Sequence, residues 1–217
     1  MIMKVDFALP RDGAVHRICL RCHADGVTRH KEESGIVYRC PACGTADGKS
    51  LYWGAGKEWI AKNGELWHDT AAVFVQDATG RILLYERTEF PFGYLTVPAG
   101  HIDKGEVAEV AARRELEEEV GIRGVDLTHA ITLDLLETPC SAGAEAHRWH
   151  VYVVTVDRPL HIQVTEEEGR HPMWLTPEEA RATMLLSPVR RVLDILDLSP
   201  SRLPIASLES INYAARA

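Results

Sequence analysis

The chain has 217 residues, of which 46% are hydrophobic and 26% charged, an ordinary globular composition with room for one main domain and a smaller module. A formal charge of −8 argues against broad electrostatic affinity for nucleic acid, and no apolar run approaches the roughly 20 residues a membrane span requires. The opening MIMKVDFALPRDG lacks the continuous apolar segment of a secretory signal, so a cytoplasmic protein is expected.

Four of the five cysteines come early, as CLRC (Cys19, Cys22) and CPAC (Cys40, Cys43), with seventeen residues between the pairs. Each pair can set two thiolates on one tight turn, and the intervening segment has the length and glycine punctuation of a hairpin that returns the chain to the second turn. A closed four-sulfur set implies structural Zn²⁺ in a module, residues 1–50, too small to build much core of its own. His23 and His30 are expected on the surface. Cys140, alone and far downstream, is read as a small, half-buried residue rather than a nucleophile.

Residues 51–66 form an aromatic connector; Trp53, Trp59 and Trp67 are expected to pack the small module against the larger one. The fragment GAGKE within it fails as a phosphate-binding loop, because Leu51 stands where the first glycine belongs and Glu58 where a hydroxyl residue belongs.

From Trp67 the chain alternates strands and helices up to residue 199, followed by a tail, 200–217, of unreadable role. TAAVFVQ and RILLYERT are strands joined by the turn DATG; YLTVPAG leads into a helix; ITLDLLE and HRWHVYVVTV are strands; TPEEARATM and SPVRRVLDILDL are helices, the first capped by Thr176 with Pro177 at its first position. The expected class is α/β, layered, with a mixed sheet.

The helix after YLTVPAG is crowded with acid: six glutamates lie between Gly100 and Ile122. Gly121 is placed to end it as a left-handed cap. Glu115, Glu118 and Glu119, at i, i+3 and i+4, share an arc of about 100° on its surface, while Leu116 and Val120 point to the core. Arg114 alone cannot neutralise three carboxylates, so the face calls for a cation. Rigid oxygen donors with room for water and phosphate suit Mg²⁺ or Mn²⁺, which can bridge a diphosphate and acidify a water for attack on phosphorus.

Written out, the segment is Gly100, five residues, Glu106, seven residues, Arg114-Glu115-Leu116, one residue, Glu118-Glu119, one residue, Gly121-Ile122. It resembles the Nudix box, G-x5-E-x7-R-E-U-x-E-E-x-G-U with U aliphatic, at every specified position. The resemblance implies a Nudix-type α/β/α sandwich, here preceded by a zinc ribbon, and metal-dependent hydrolysis of a pyrophosphate bond in a nucleoside diphosphate linked to another moiety. It also implies metal ligation by Glu118, Glu119 and the Gly100 carbonyl, and a ligand or base role for Glu115. Arg114 would orient a glutamate and Glu106 would hold loop to helix. Some relatives take the general base from a later loop; TEEEGRHPMW offers Glu166, Glu167 and Glu168, of which Glu168 is chosen.

A zinc ribbon ahead of this domain resembles the NADH pyrophosphatases, yet their downstream motif S-Q-P-W-P-F-P-x-S is missing from VDLTHAITLDLLETPCSAGAEAHRWHV. NADH and ADP-ribose are therefore both candidate substrates, with Pro139 near where ADP-ribose hydrolases place a proline. Arg87, Lys104, Arg148 and His150 are the candidate phosphate contacts. The expected partner is a small nucleotide substrate, a homodimer is compatible, and the alternative is a metabolite-sensing or nucleic-acid-binding regulator built on the same two modules.

Overall fold

A computed structural model describes residues 2–32, 35–157, 160, 162–196 and 205–206. The end of the predicted last helix and most of the tail lie outside these residues.

The N-terminal segment folds around its cysteines. Strands β1 (His16–Ile18), β2 (Thr28–Glu32), β3 (Gly35–Arg39) and β4 (Ala46–Asp47) form two small sheets, β2-β3-β4 and β1 paired with β5 (Leu51–Trp53). The cysteine turns are built alike. His23 N–H donates to the Cys19 carbonyl and Gly44 N–H to the Cys40 carbonyl, both at 3.0 Å, and both residues sit in the left-handed region. These turns place all four sulfurs within 4.8 Å of one another, with Cys19–Cys43 and Cys22–Cys40 at 3.7 and 3.6 Å. Sulfurs at the corners of a tetrahedral zinc site stand about 3.8 Å apart, so the ribbon has the geometry of a structural zinc centre. His23 and His30 are exposed.

The large domain is a mixed sheet between two helical layers. Its spine is β11 (Thr128–Leu136), β12 (Ala146–Val156), β7 (Leu66–Asp77), β8 (Ile82–Arg87) and β13 (Gly169–Leu175), in that spatial order. β6 (Glu58–Ile60) and β10 (Ala99–His101) add to β7, β9 (Leu95–Thr96) to β8, and the short β14 (Ile205–Ala206) to β12. β7 and β12 run parallel; β10 runs antiparallel to β7 with Gly100 opposite Ala71. β7 alternates strictly, as a strand buried on both faces must. Ala71, Val73 and Val75 pack with Ala112, Leu116 and Val120 of α1 (Ala108–Val120); Ala72 and Phe74 pack on the other face with Val189, Val192 and Leu193 of α3 (Ser187–Ile195). The short α2 (Pro177–Arg181) carries the predicted Thr176 cap, completed as a capping box by Glu179.

Two local expectations change. Helix α1 begins at Ala108, so Glu106 lies in the loop ahead of it; Gly121 ends the helix in the left-handed region, as expected. Residues 51–66 divide between two sheets, with β5 pairing inside the N-terminal segment and β6 pairing on the large sheet, where Trp59 stacks on Trp67 at 5.2 Å. The amides of Gly54, Gly56 and Lys57 all donate to the Glu58 carboxylate, so this turn already holds its own anion.

The two modules touch along the segment 88–92 and the loop 138–145. The Phe92 ring lies against the Cα of Gly35 and the Phe90 ring against that of Gly48. Arg29 pairs with Glu89 at 2.9 Å and Lys49 with Glu145 at 2.8 Å.

Candidate functional site

Helix α1 sets its acidic arc against the sheet rather than into open solvent. Glu115 and Glu119 are 9% and 4% exposed, which sequence periodicity does not reveal, because the small Ala108 and Ala111 on the same side let the helix sit close. Glu118, at the edge of the arc, is exposed. Each buried carboxylate has a defined seat. Glu119 accepts from the Tyr85 hydroxyl at 2.7 Å and from the Ala99 amide at 2.9 Å. The Glu115 carboxylate rests on the Cα of Gly100, where an added Cβ would lie 2.0 Å from its Oε1.

Arg114 is the organiser. Its guanidinium grips both Glu106 oxygens at 3.0 and 2.9 Å, donates to Glu115 at 2.6 Å and Glu118 at 3.3 Å, and reaches the His101 carbonyl at 3.1 Å. Glu106 also accepts the Asp103 amide, so it ties the loop after β10 to the helix.

The turn Thr165–Glu168 completes the cluster. Thr165 N–H donates to the Glu119 carbonyl at 3.1 Å, and the Thr88 hydroxyl donates to the Glu166 and Glu167 carbonyls. Gly169 follows because the Tyr85 ring and the Glu86 carbonyl fill the space of any Cβ there. Glu115, Glu118, Glu119 and Glu166 through Glu168 thus line one depression of about 360 Å³. Glu166 and Glu167 are exposed, whereas Glu168 is half-buried.

Crowding shows in the proton affinities. Burial first, then the charges of Glu115 and Glu168, pushes the Glu119 carboxyl well above its usual range. Burial likewise raises Glu115, against the pull of Arg114, and raises Glu168, with Glu89 adding to the effect. Burying several carboxylates together, with only Arg114 as a cationic partner to Glu115, works against their ionised forms.

Glu115, Glu119 and Glu168 also line a neighbouring cleft of about 480 Å³, together with Phe90, Pro91, Tyr94 and Trp149. Of the four candidate phosphate contacts, Arg87 alone lines it, joined by Lys57. Arg148 pairs with Asp134 at 2.7 Å, His150 meets Thr132 at 3.3 Å, and Lys104 lies against Gly56. Pro139 does line the cleft.

Sequence reasoning missed a second cluster, His68, His101, Cys140 and His147, with one donor atom each within 4.8 Å of the others; the last three also line this cleft. Cys140 is half-buried as expected but meets His68 Nδ1 at 3.6 Å. Burial holds His68 down to about 3 and His147 to about 4, and the Cys140 thiol is pushed up to about 11. The one sequence signal was the alternation HxTxA along β7, which puts His68 and Thr70 on the same face as Ala72 and Phe74.

A model of the NUDIX domain matches residues 66–194. No curated protein sequence matches the chain. Among solved structures, the chain is similar to RenU, a Nudix hydrolase from M. smegmatis, with 19% identity over 69% of this chain and 97% of that one and a TM-score of 0.53. It is also similar to the NUDIX domain of Shewanella oneidensis NrtR complexed with ADP ribose (16% identity, 67% and 94% covered, TM-score 0.53). A third is the E. coli dihydroneopterin triphosphate pyrophosphohydrolase (21% identity, 58% and 92% covered, TM-score 0.52). Such identities speak to the fold; the family model, spanning more than half of the chain, sets the family. With the complete box folded as one acidic, Arg114-braced cluster, the chain belongs to the Nudix hydrolase family.

Proposed function

We propose that this Nudix hydrolase cleaves a pyrophosphate bond in a nucleoside diphosphate linked to a second moiety, a dinucleotide or nucleotide-sugar type of substrate, with Mg²⁺ or Mn²⁺. One observation carries the reading: the carboxylates Glu115, Glu119 and Glu168 line the same cleft as the cations Arg87 and Lys57 and the rings of Phe90, Tyr94 and Trp149. Its volume of about 480 Å³ is in the range of small-molecule sites and matches a nucleotide. The ADP ribose held by the NrtR domain makes that compound a candidate here beside NADH.

The residues fit a hard divalent cation. Glu115, Glu118 and Glu119 offer oxygen donors on one helical turn, and Gly100 has no side chain to displace Glu115. A bound cation would neutralise diphosphate charge and acidify water. Around it, Arg114 holds Glu115 in place and Glu106 keeps the Gly100 loop against the helix. Glu168, half-buried on a docked turn, accepts the proton of the attacking water, and Arg87 and Lys57 meet the phosphates.

The test is mass spectrometry of products from NADH, NAD⁺, ADP-ribose and dinucleoside polyphosphates with Mg²⁺ or Mn²⁺, with Glu118→Gln as control. Metal-dependent release of a mononucleotide is expected. Silence across the panel from folded, zinc-loaded protein would overturn the reading and favour the sensor alternative, tested by ligand binding.

A further inference from the structure

We infer that His68, His101, Cys140 and His147 form a second, closed zinc site beneath the substrate cleft. The argument is geometric. Around a tetrahedral zinc, with Zn–N of about 2.0–2.1 Å and Zn–S of about 2.3 Å, neighbouring nitrogens stand about 3.3 Å apart and nitrogen and sulfur about 3.6 Å apart. Here His68 Nδ1 and His101 Nε2 are 3.1 Å apart, and Cys140 Sγ is 3.6 Å from the same His68 nitrogen. All four donors fall within 4.8 Å, and the three imidazole centroids are 4.6 to 5.7 Å apart, with the His68 ring nearly perpendicular to the other two.

The surroundings suit a metal better than a packing cluster. The Thr138 hydroxyl meets His147 Nδ1 at 3.0 Å, which fixes that ring and leaves Nε2 as its ligand, the usual arrangement of an outer-shell partner. Hydrogen bonding alone serves the cluster poorly: His68 Nδ1 is approached by both His101 Nε2 at 3.1 Å and Cys140 Sγ at 3.6 Å, and one ring nitrogen can make only one hydrogen bond. Three imidazoles and one thiolate favour zinc over magnesium or calcium, and four protein ligands leave no position open, so this zinc is structural. Binding replaces the Cys140 thiol proton, which leaves to solvent.

Four separate elements supply the ligands: β7, β10, the β11–β12 loop and β12. His101 directly follows Gly100, and the Cys140 loop takes the Ser50 and Tyr52 amides of the ribbon side at 3.0 Å. The ion therefore fastens the ribbon-facing loop to the strand that carries Gly100.

Zinc per chain is measured by inductively coupled plasma mass spectrometry on the full chain after gel filtration without chelator. About two zincs are expected in the wild type, falling to about one in Cys140→Ser, in His147→Gln and in the ribbon double variant Cys40→Ser/Cys43→Ser. Unchanged zinc in the first two variants overturns the site. Should those variants not fold, zinc X-ray absorption on the wild type decides: a shell averaging about 2.5 sulfurs and 1.5 nitrogens supports it, and a pure four-sulfur shell refutes it.

Discussion

Replacing Gly100 by alanine tests whether Glu115 belongs to the chemistry or only to the packing. The backbone there tolerates a side chain, since Gly100 lies outside the positive-φ glycines. The obstruction is local: the new Cβ would lie 2.0, 2.2 and 2.6 Å from the three atoms of the Glu115 carboxylate. Ordinary contact begins near 3.4 Å, so the carboxylate must retreat by about 1.4 Å, against its 2.6 Å bond to Arg114. A displacement of about 1 Å at a positioned group costs on the order of 10²-fold in rate, equivalent to about 2.7 kcal/mol in the barrier. Overpacking costs about 1–3 kcal/mol of stability. The assay is kcat/KM on the substrate identified by the product screen, across a Mg²⁺ titration, beside urea unfolding of the same preparations. A weaker Mg²⁺ dependence together with the rate loss is expected. Activity within about threefold of wild type per folded molecule, whether or not stability falls, would refute a catalytic role for Glu115.

Glu118→Gln should lower turnover by about 10²-fold or more, yet leave the urea midpoint within about 0.5 kcal/mol, because Glu118 is exposed and its loss uncovers nothing. Glu115, Glu119 and Glu168 hold protons more tightly folded than unfolded, so in Mg²⁺-free buffer their contribution is present below the ordinary carboxylate value of 4.5 and is lost as pH rises through the raised values. Stabilisation by added Mg²⁺ should accordingly be larger at pH 8 than at pH 5 in thermal melts; equal stabilisation would separate these groups from the cation. In the full chain, Cys40→Ser/Cys43→Ser should raise KM more than it lowers kcat, since Phe90 and Phe92 lean on the ribbon while the acidic cluster does not; steady-state kinetics at saturating Mg²⁺ separates the two.

What sequence could and could not reveal follows from the range of the interactions. The acidic arc and its Gly121 stop were legible because helix geometry fixes residues three and four apart, and the cysteine turns because each pair lies within one tight loop. The burial of Glu115 and Glu119 was not, since it depends on how closely α1 approaches Gly100 and Tyr85. Arg148 and His150 were drawn in by their charge alone, and pairing with Asp134 and Thr132 on neighbouring β11 takes them elsewhere. No spacing in the sequence joins the members of the histidine cluster: His68 and His147 become neighbours through the parallel register of β7 and β12, and His101 joins through the antiparallel register of β10. Register is set by the apolar faces, with Ala72 and Phe74 of β7 and Val151 and Val153 of β12 on the α3 side. Counting back by twos from those residues lands on His68 and His147, so the packing that builds the core also aligns the imidazoles. The same strand, on register with Gly100 at Ala71, carries the floor of the acidic site. Acidic cluster and histidine cluster are therefore two readings of one strand alignment, and a shift of one residue in β10 would displace both at once.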